Sequence, residues 1–228
     1  MNRATAGPAA IVPAAIVFAG SGAVSVALRN RLPADADVIA ADSGLAVATA
    51  LGVPVDHLVG DLDSVDMAAV EAAEAAGTTV DRHPAEKDAT DLELALDAAR
   101  LRGARRLVVV DGGGDRLDHL LGNLLLLSSA SLAGTEVEAF SGEARVVVAR
   151  GGAGAMTITG EPGSLVTLLP VGGVARGIVT DGLRYPLHAE ALAPGTTRGV
   201  SNELLDESAR VELSDGTLLV VQPFGGAR

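Results

Sequence analysis

The chain has 228 residues, 48% of them hydrophobic and 2% aromatic, and a formal net charge of −12. That length suits one large or two small domains, with a core of Ala, Val, Leu and Ile. The acidic balance and the scarcity of aromatic rings argue against a nucleic-acid or anionic-membrane partner, and the absence of Cys excludes disulfides, thiolate zinc sites and a cysteine nucleophile.

In chain order, Arg3 followed by the apolar stretch Ala9–Ala19 imitates a secretion signal, but Pro13 interrupts it. Ile16–Val17–Phe18 reads better as the first core strand. No apolar run is long enough to span a membrane, and a reducing, cytoplasmic setting is expected. Strands are expected at Ala15–Ala19, Asp37–Ala41, His57–Gly60, Thr78–Arg82, Arg106–Asp111 and Glu136–Phe140. Helices are expected near Ser43–Leu51, Val65–Ala76, Asp91–Leu101 and Arg116–Ser129, with Gly52 and Gly77 just past two of them. This alternation predicts a mostly parallel, doubly wound α/β sheet over residues 1–145. From about Gly142 onward, glycines recur between short β-rich runs at Ala144–Ala149, Leu165–Pro170, Ile178–Thr180 and Leu218–Gln222. Residues 146–228 are therefore expected to form a smaller, sandwich-like all-β domain.

Acidic residues concentrate in the first part: residues 1–150 hold 21 of the 29 Asp and Glu. Four segments stand out. Asp42–Ser43–Gly44 and Gly60–Asp61–Leu62–Asp63–Ser64 each follow a strand. Glu86–Lys87–Asp88–Ala89–Thr90–Asp91 opens a helix, with Thr90 and Glu93 spaced as a capping box. Gly112–Gly113–Gly114–Asp115–Arg116–Leu117–Asp118–His119 follows the strand Val108–Val109–Val110. Open α/β sheets bind ligands beyond the carboxyl ends of their strands, so these turns can converge on one crevice. Carboxylates alone repel a polyphosphate; carboxylates with Mg²⁺ attract it, because Mg²⁺ takes one or two of them and completes its shell with phosphate oxygens and water. Asp61 and Asp63 can share or bridge metal ions. Lys87 is the only lysine in the chain; it and Arg116 are candidate phosphate contacts.

Each piece also has a plainer reading. Asp42–Ser43 alone reads as a helix cap, as does Asp115. A lone Asp-x-Asp is often just solvated. His119 reads as packed or hydrogen-bonded, and His57, His83 and His188 as structural. Gly20–Ser21–Gly22 half-matches a dinucleotide fingerprint but lacks its third glycine.

Together, in this order and spacing, the four segments resemble the thiamine pyrophosphokinase family. Asn123, one turn past His119, also matches. So do Asp181–Gly182–Leu183–Arg184–Tyr185–Pro186–Leu187 and Gly199–Val200–Ser201–Asn202–Glu203, which look like the family's β-domain segments near thiamine. The resemblance implies transfer of diphosphate from ATP to the hydroxyl of thiamine, with AMP leaving, in a homodimer whose thiamine lies near the subunit interface. It implies Asp61, Asp63, Asp91 and Asp118 as Mg²⁺ ligands and catalytic carboxylates. Asp42, Ser64, Lys87, Thr90 and Arg116 would face the nucleotide, and Ser201 and Asn202 thiamine. Asp61 or Asp91 would accept the hydroxyl proton. Leu62 replaces the family's usual Phe, and no aromatic is evident for the thiamine ring. Three alternatives stay open: a diphosphokinase for a pterin alcohol, a haloacid-dehalogenase-type phosphatase using Asp61–Leu62–Asp63–Ser64–Val65, and a non-catalytic nucleotide-binding module.

Overall fold

The structure, a computed structural model, describes residues 13–20, 22–112 and 116–224. Six short runs, all but β4 with buried apolar residues, form parallel strands: β1 (Ala14–Ala19), β2 (Ala36–Ala41), β3 (His57–Gly60), β4 (Thr79–Arg82), β5 (Arg106–Asp111) and β6 (Glu136–Ser141). Their spatial order is β4-β3-β2-β1-β5-β6. The chain winds outward from β1 in one direction, then returns beside β1 as β5. The order therefore reverses between β1 and β5, where such folds open a crevice.

Helices cover both faces. α3 (Asp91–Leu101) lays Leu92, Ala95, Leu96 and Ala99 against Val17, Ile39 and Val109. That stripe is the i, i+3, i+4 pattern of an amphipathic helix. Burying Leu92 and Leu96 contributes on the order of 1.5–3 kcal/mol each. On the other face, α1 (Gly44–Ala50) packs Val47 and Ala48 against Ile16, Phe18 and Val108. Val70 of α2 (Met67–Ala76) meets Leu45, Leu58 and Leu62. Asp66 caps α2, accepting from the Ala68 amide at 3.1 Å, so the helix starts just after the expected Val65. Gly77 closes it in a left-handed conformation. α4 (Leu117–Leu126) is shorter than expected and contains no buried residue.

The all-β part grows out of the same sheet. β7 (Ala144–Arg150) turns back antiparallel on β6, and β13 (Asp215–Pro223) pairs with β7. β8 (Met156–Thr159), β10 (His188–Leu192), β11 (Asn202–Glu203) and β12 (Ser208–Glu212) complete it. The runs Leu165–Pro170 and Ile178–Thr180, expected as separate strands, are one 17-residue strand, β9 (Leu165–Asp181). Its first part pairs with β13 and its last part with β12. Gly172 and Gly177, both at positive φ, let the strand bend from one layer to the other without ending. Ile158, Val166, Leu168, Ile178, Val211 and Val220 fill the core between the layers.

Candidate active site

β2 delivers Asp42 to the carboxyl edge of the sheet. Its backbone is left-handed, with φ of 46°, which an Asp tolerates better than most residues. Its amide donates to Val59 O at 2.9 Å, fixing the turn to β3. The side chain is 9% exposed, and its Oδ1 has no hydrogen-bond partner among the described residues. Burial pushes its carboxyl above the usual range; the Ser43 amide and Ser64 hydroxyl oppose this, while the like charges of Asp91 and Asp61 add to it. This is not a helix cap. Ser43, the residue before α1, makes no capping bond and donates its hydroxyl to Gly20 O at 3.3 Å.

β3 delivers the next turn. Leu62 adopts φ of 63° and is buried with Ala40, Leu45, Leu58 and Val70. Turning Leu62 inward sends Asp61 and Asp63 outward. The Asp63 amide donates to Asp61 Oδ1 at 3.2 Å, and the Ser64 hydroxyl to Asp63 Oδ1 at 2.9 Å. Gly60, at φ of 151°, makes the gathering possible. A Cβ there would lie 3.1 Å from Asp91 Oδ1 and 3.2 Å from Asp42 Cβ. One carboxylate oxygen from each of Asp42, Asp61 and Asp63 falls within 4.8 Å of the others. That spacing, with one buried oxygen lacking a partner, fits a divalent cation bound by hard oxygen donors.

Thr90 caps α3, accepting from the Glu93 amide at 3.2 Å, and Asp91 is the first helical residue. Lys87, one turn earlier, places Nζ 2.9 Å from Asp61 Oδ2 and 3.1 Å from Asp91 Oδ1. The bond from Lys87 holds the Asp61 carboxyl below its ordinary range, and in return raises the Lys87 ammonium.

Gly113, Gly114 and Asp115 lie outside the described residues, as do Ser21 and residues 1–12 of the signal-like stretch. Arg116 forks onto Asp118 at 3.2 and 2.5 Å, both side chains being exposed. This pair lowers the Asp118 carboxyl to about 2. Asp118 is not in the three-carboxylate group. His119 is exposed rather than packed. Gly22 lies against Gly112, where a Cβ would meet the Gly112 carbonyl. Gly22 thus serves close backbone packing at the β1–β5 reversal, and Gly20 leaves room for the Asp111 side chain.

In the all-β part, Ser201 sits exposed at φ of 57°, its amide donating to Thr167 Oγ1 at 3.1 Å. Asn202 is 4% exposed and works as a clamp. Its Oδ1 accepts from the Tyr185 and Glu203 amides at 3.0 and 2.9 Å, and its Nδ2 donates to Tyr185 O at 2.8 Å. Tyr185 itself is 59% exposed. Sequence reading missed Asp111, a buried carboxylate at the end of β5 that accepts from Asn123 Nδ2 at 3.1 Å and ties α4 to the sheet. As the last residue of an apolar strand it gives no signal of its own.

The profile of the thiamin pyrophosphokinase catalytic domain matches residues 29–139, and that of the family's vitamin B1 binding domain matches residues 156–218. The chain belongs to the thiamin pyrophosphokinase family. Thiamine pyrophosphokinase of Bacillus subtilis (strain 168) is 25% identical over 184 residues, covering 81% of this chain and 86% of that one. Among solved structures, thiamin pyrophosphokinase from Geobacillus thermodenitrificans is 29% identical with a TM-score of 0.76, covering 94% of this chain and 99% of the other. The Candida albicans enzyme shares the fold at 13% identity, with a TM-score of 0.73 over 92% and 90% of the two chains. Membership makes the chain a thiamine diphosphokinase and disfavours the phosphatase, pterin and non-catalytic readings.

Proposed function

We propose that the carboxyl edge of β2 and β3 is where this thiamine diphosphokinase holds the ATP diphosphate, through Mg²⁺ on Asp42, Asp61 and Asp63 with Asp91 beside them. The observation that carries this reading is the three-carboxylate group with its partnerless, buried Asp42 Oδ1. Mg²⁺ there would offset the charge of the transferring group.

The hydroxyl of thiamine attacks the β-phosphorus of ATP, and AMP leaves. Lys87 already neutralises Asp61 and Asp91, so it can turn toward phosphate once a metal takes over that task. Asp61, kept ionised, is available as a metal ligand, and Asp91, which shares Lys87 with it, would take the hydroxyl proton. Ser64 and Thr90 offer hydroxyls to the nucleotide. Arg116, exposed and already fork-oriented by Asp118, can exchange that carboxylate for a phosphate. Ser201 would face thiamine directly, whereas Asn202 would act through Tyr185, whose backbone it holds.

A homodimer is supported by α4. Leu117, Leu121 and Leu125 recur at helical spacing on one face and are 67%, 52% and 56% exposed. Such a stripe on the helix that carries Asp118 suits a second copy of the chain. No helix among the described residues is long and apolar enough to cross a membrane; a cytoplasmic setting is our reading. The test is to incubate the protein with ATP, Mg²⁺ and thiamine and follow both products. Equimolar AMP and thiamine diphosphate are expected. Release of inorganic phosphate instead would overturn the reading.

A further inference from the structure

The face of the sheet opposite α3 carries a trough of about 810 Å³ that shares no lining residue with the acidic crevice. Four adjacent strands floor it with polar side chains: Arg106 of β5, Glu138 of β6, Arg145 of β7 and Gln222 of β13. Glu138 accepts from Arg106 at 3.2 Å and from Arg145 at 2.6 Å, and Arg145 also donates to Gln222 Oε1 at 3.0 Å. These contacts use only part of each guanidinium's donor set. At one wall, Arg31 lies 5.7 Å from the centroid of the Phe224 ring, which stacks on Phe140 with centroids 6.3 Å apart.

Two features exceed what a structural tie between layers needs. First, the sign of charge is reversed. In a chain of net charge −12, this trough gathers three arginines against Glu138 and Glu161. Second, the chain has only three Phe and one Tyr, yet two of the Phe stand here, Phe224 being 43% exposed. Guanidiniums with spare N–H groups suit anionic oxygens, and a Phe pair with Arg31 over its half-exposed ring suits a planar ring. The volume lies in the range of small-ligand pockets.

We propose that this trough is a second ligand site, for a planar aromatic anion of nucleoside-monophosphate size, its anionic oxygens on Arg31 and Arg106 and its ring against Phe224. It stands independently of the crevice chemistry. AMP is the probe, titrated calorimetrically into the full chain, Arg106→Gln and Phe224→Ala, with adenosine and inorganic phosphate as separate titrants. One AMP site per chain is expected to vanish or weaken at least about tenfold in each variant, with thiamine turnover unchanged. Adenosine and phosphate should each bind that site at least about tenfold more weakly than AMP. AMP binding insensitive to both substitutions, or phosphate binding as tightly as AMP, would overturn the proposal. Loss of thiamine turnover in the unsubstituted chain, with the Arg106-dependent AMP site intact, would count against the crevice assignment alone.

Discussion

Lys87 Nζ lies 2.9 Å from Asp61 Oδ2, so the chain's single lysine occupies a place beside the carboxylates that a metal and a polyphosphate would contest. The pair makes Lys87 an internal counter-ion in the ligand-free chain and a phosphate contact in the loaded one. Replacing it with Met should lower kcat/KM for ATP by roughly tenfold to a hundredfold, the size of effect seen when one charge-stabilising donor is lost. Steady-state kinetics at saturating thiamine would measure it. An unchanged kcat/KM would remove Lys87 from the nucleotide site.

Asp42→Asn separates stability from function. The Asp42 carboxyl is raised by burial, so between its unfolded and folded values the folded chain holds more protons. Ionised Asp42 therefore opposes folding, and stability falls as pH rises through its folded value. Asn removes that charge and suits the left-handed backbone. Without divalent cations, the variant's thermal midpoint at neutral pH should rise by about 2–4 °C, the shift expected for roughly 1 kcal/mol in a chain of this size. Stabilisation by Mg²⁺ with ATP should shrink at the same time. Scanning calorimetry with and without the ligands reads both.

Asp118 has the opposite sign. Its carboxyl is held at about 2, first by the bond from Arg116. The pair's contribution is present above the ordinary carboxylate value near 3.8 and is lost as pH falls toward about 2. Arg116→Gln should move the Asp118 carboxyl back up, as followed by NMR titration of its side-chain carbon. Because both groups are exposed, thermal stability at neutral pH should hardly change.

Much of this was legible in the sequence, because the signals were local. Apolar runs set β1, β2, β3 and β5, and the Thr90–Glu93 spacing set the start of α3. What escaped depended on distant contacts. The long β9 looked like two strands because glycine usually ends a strand, yet pairing to β13 and then β12 carries it through Gly172 and Gly177. Asp42 looked like a cap because burial by Gly60 and Asp91 cannot be read from its neighbours. Nothing in the sequence around Asn202 shows that its side-chain oxygen is saturated by the Tyr185 and Glu203 amides while its nitrogen donates to Tyr185 O.

That saturation predicts how Asn202 acts. Asn202→Ala would leave the part-buried Tyr185 amide without its side-chain acceptor, a loss of about 0.5–1.5 kcal/mol. KM for thiamine should rise while KM for ATP stays within about twofold. Equal rises in both would mean that the substitution disturbs the whole molecule rather than the Tyr185 segment.

Leu62→Ala tests how the turn is aimed. The side chain is buried at left-handed φ, and its loss should cost about 2–4 kcal/mol. Denaturant unfolding gives the stability loss. Turnover per folded molecule should fall as well, because Asp61 and Asp63 lose the anchor that turns them outward. Stability loss with full specific activity would separate the anchor from the site.

Leu121→Glu places a charge on the exposed α4 stripe. A chain that dimerises through this face should become a monomer in light scattering, with far-ultraviolet dichroism unchanged. Retention of the dimer would move the interface elsewhere.

Mn²⁺ binding, read by electron paramagnetic resonance in the presence of ATP, tests the cation site. Protein with ATP should sequester Mn²⁺ more tightly than ATP alone, and Asp42→Asn and Asp63→Asn should each weaken this by at least about tenfold. Equal Mn²⁺ affinity in the unsubstituted chain and both variants would contradict it.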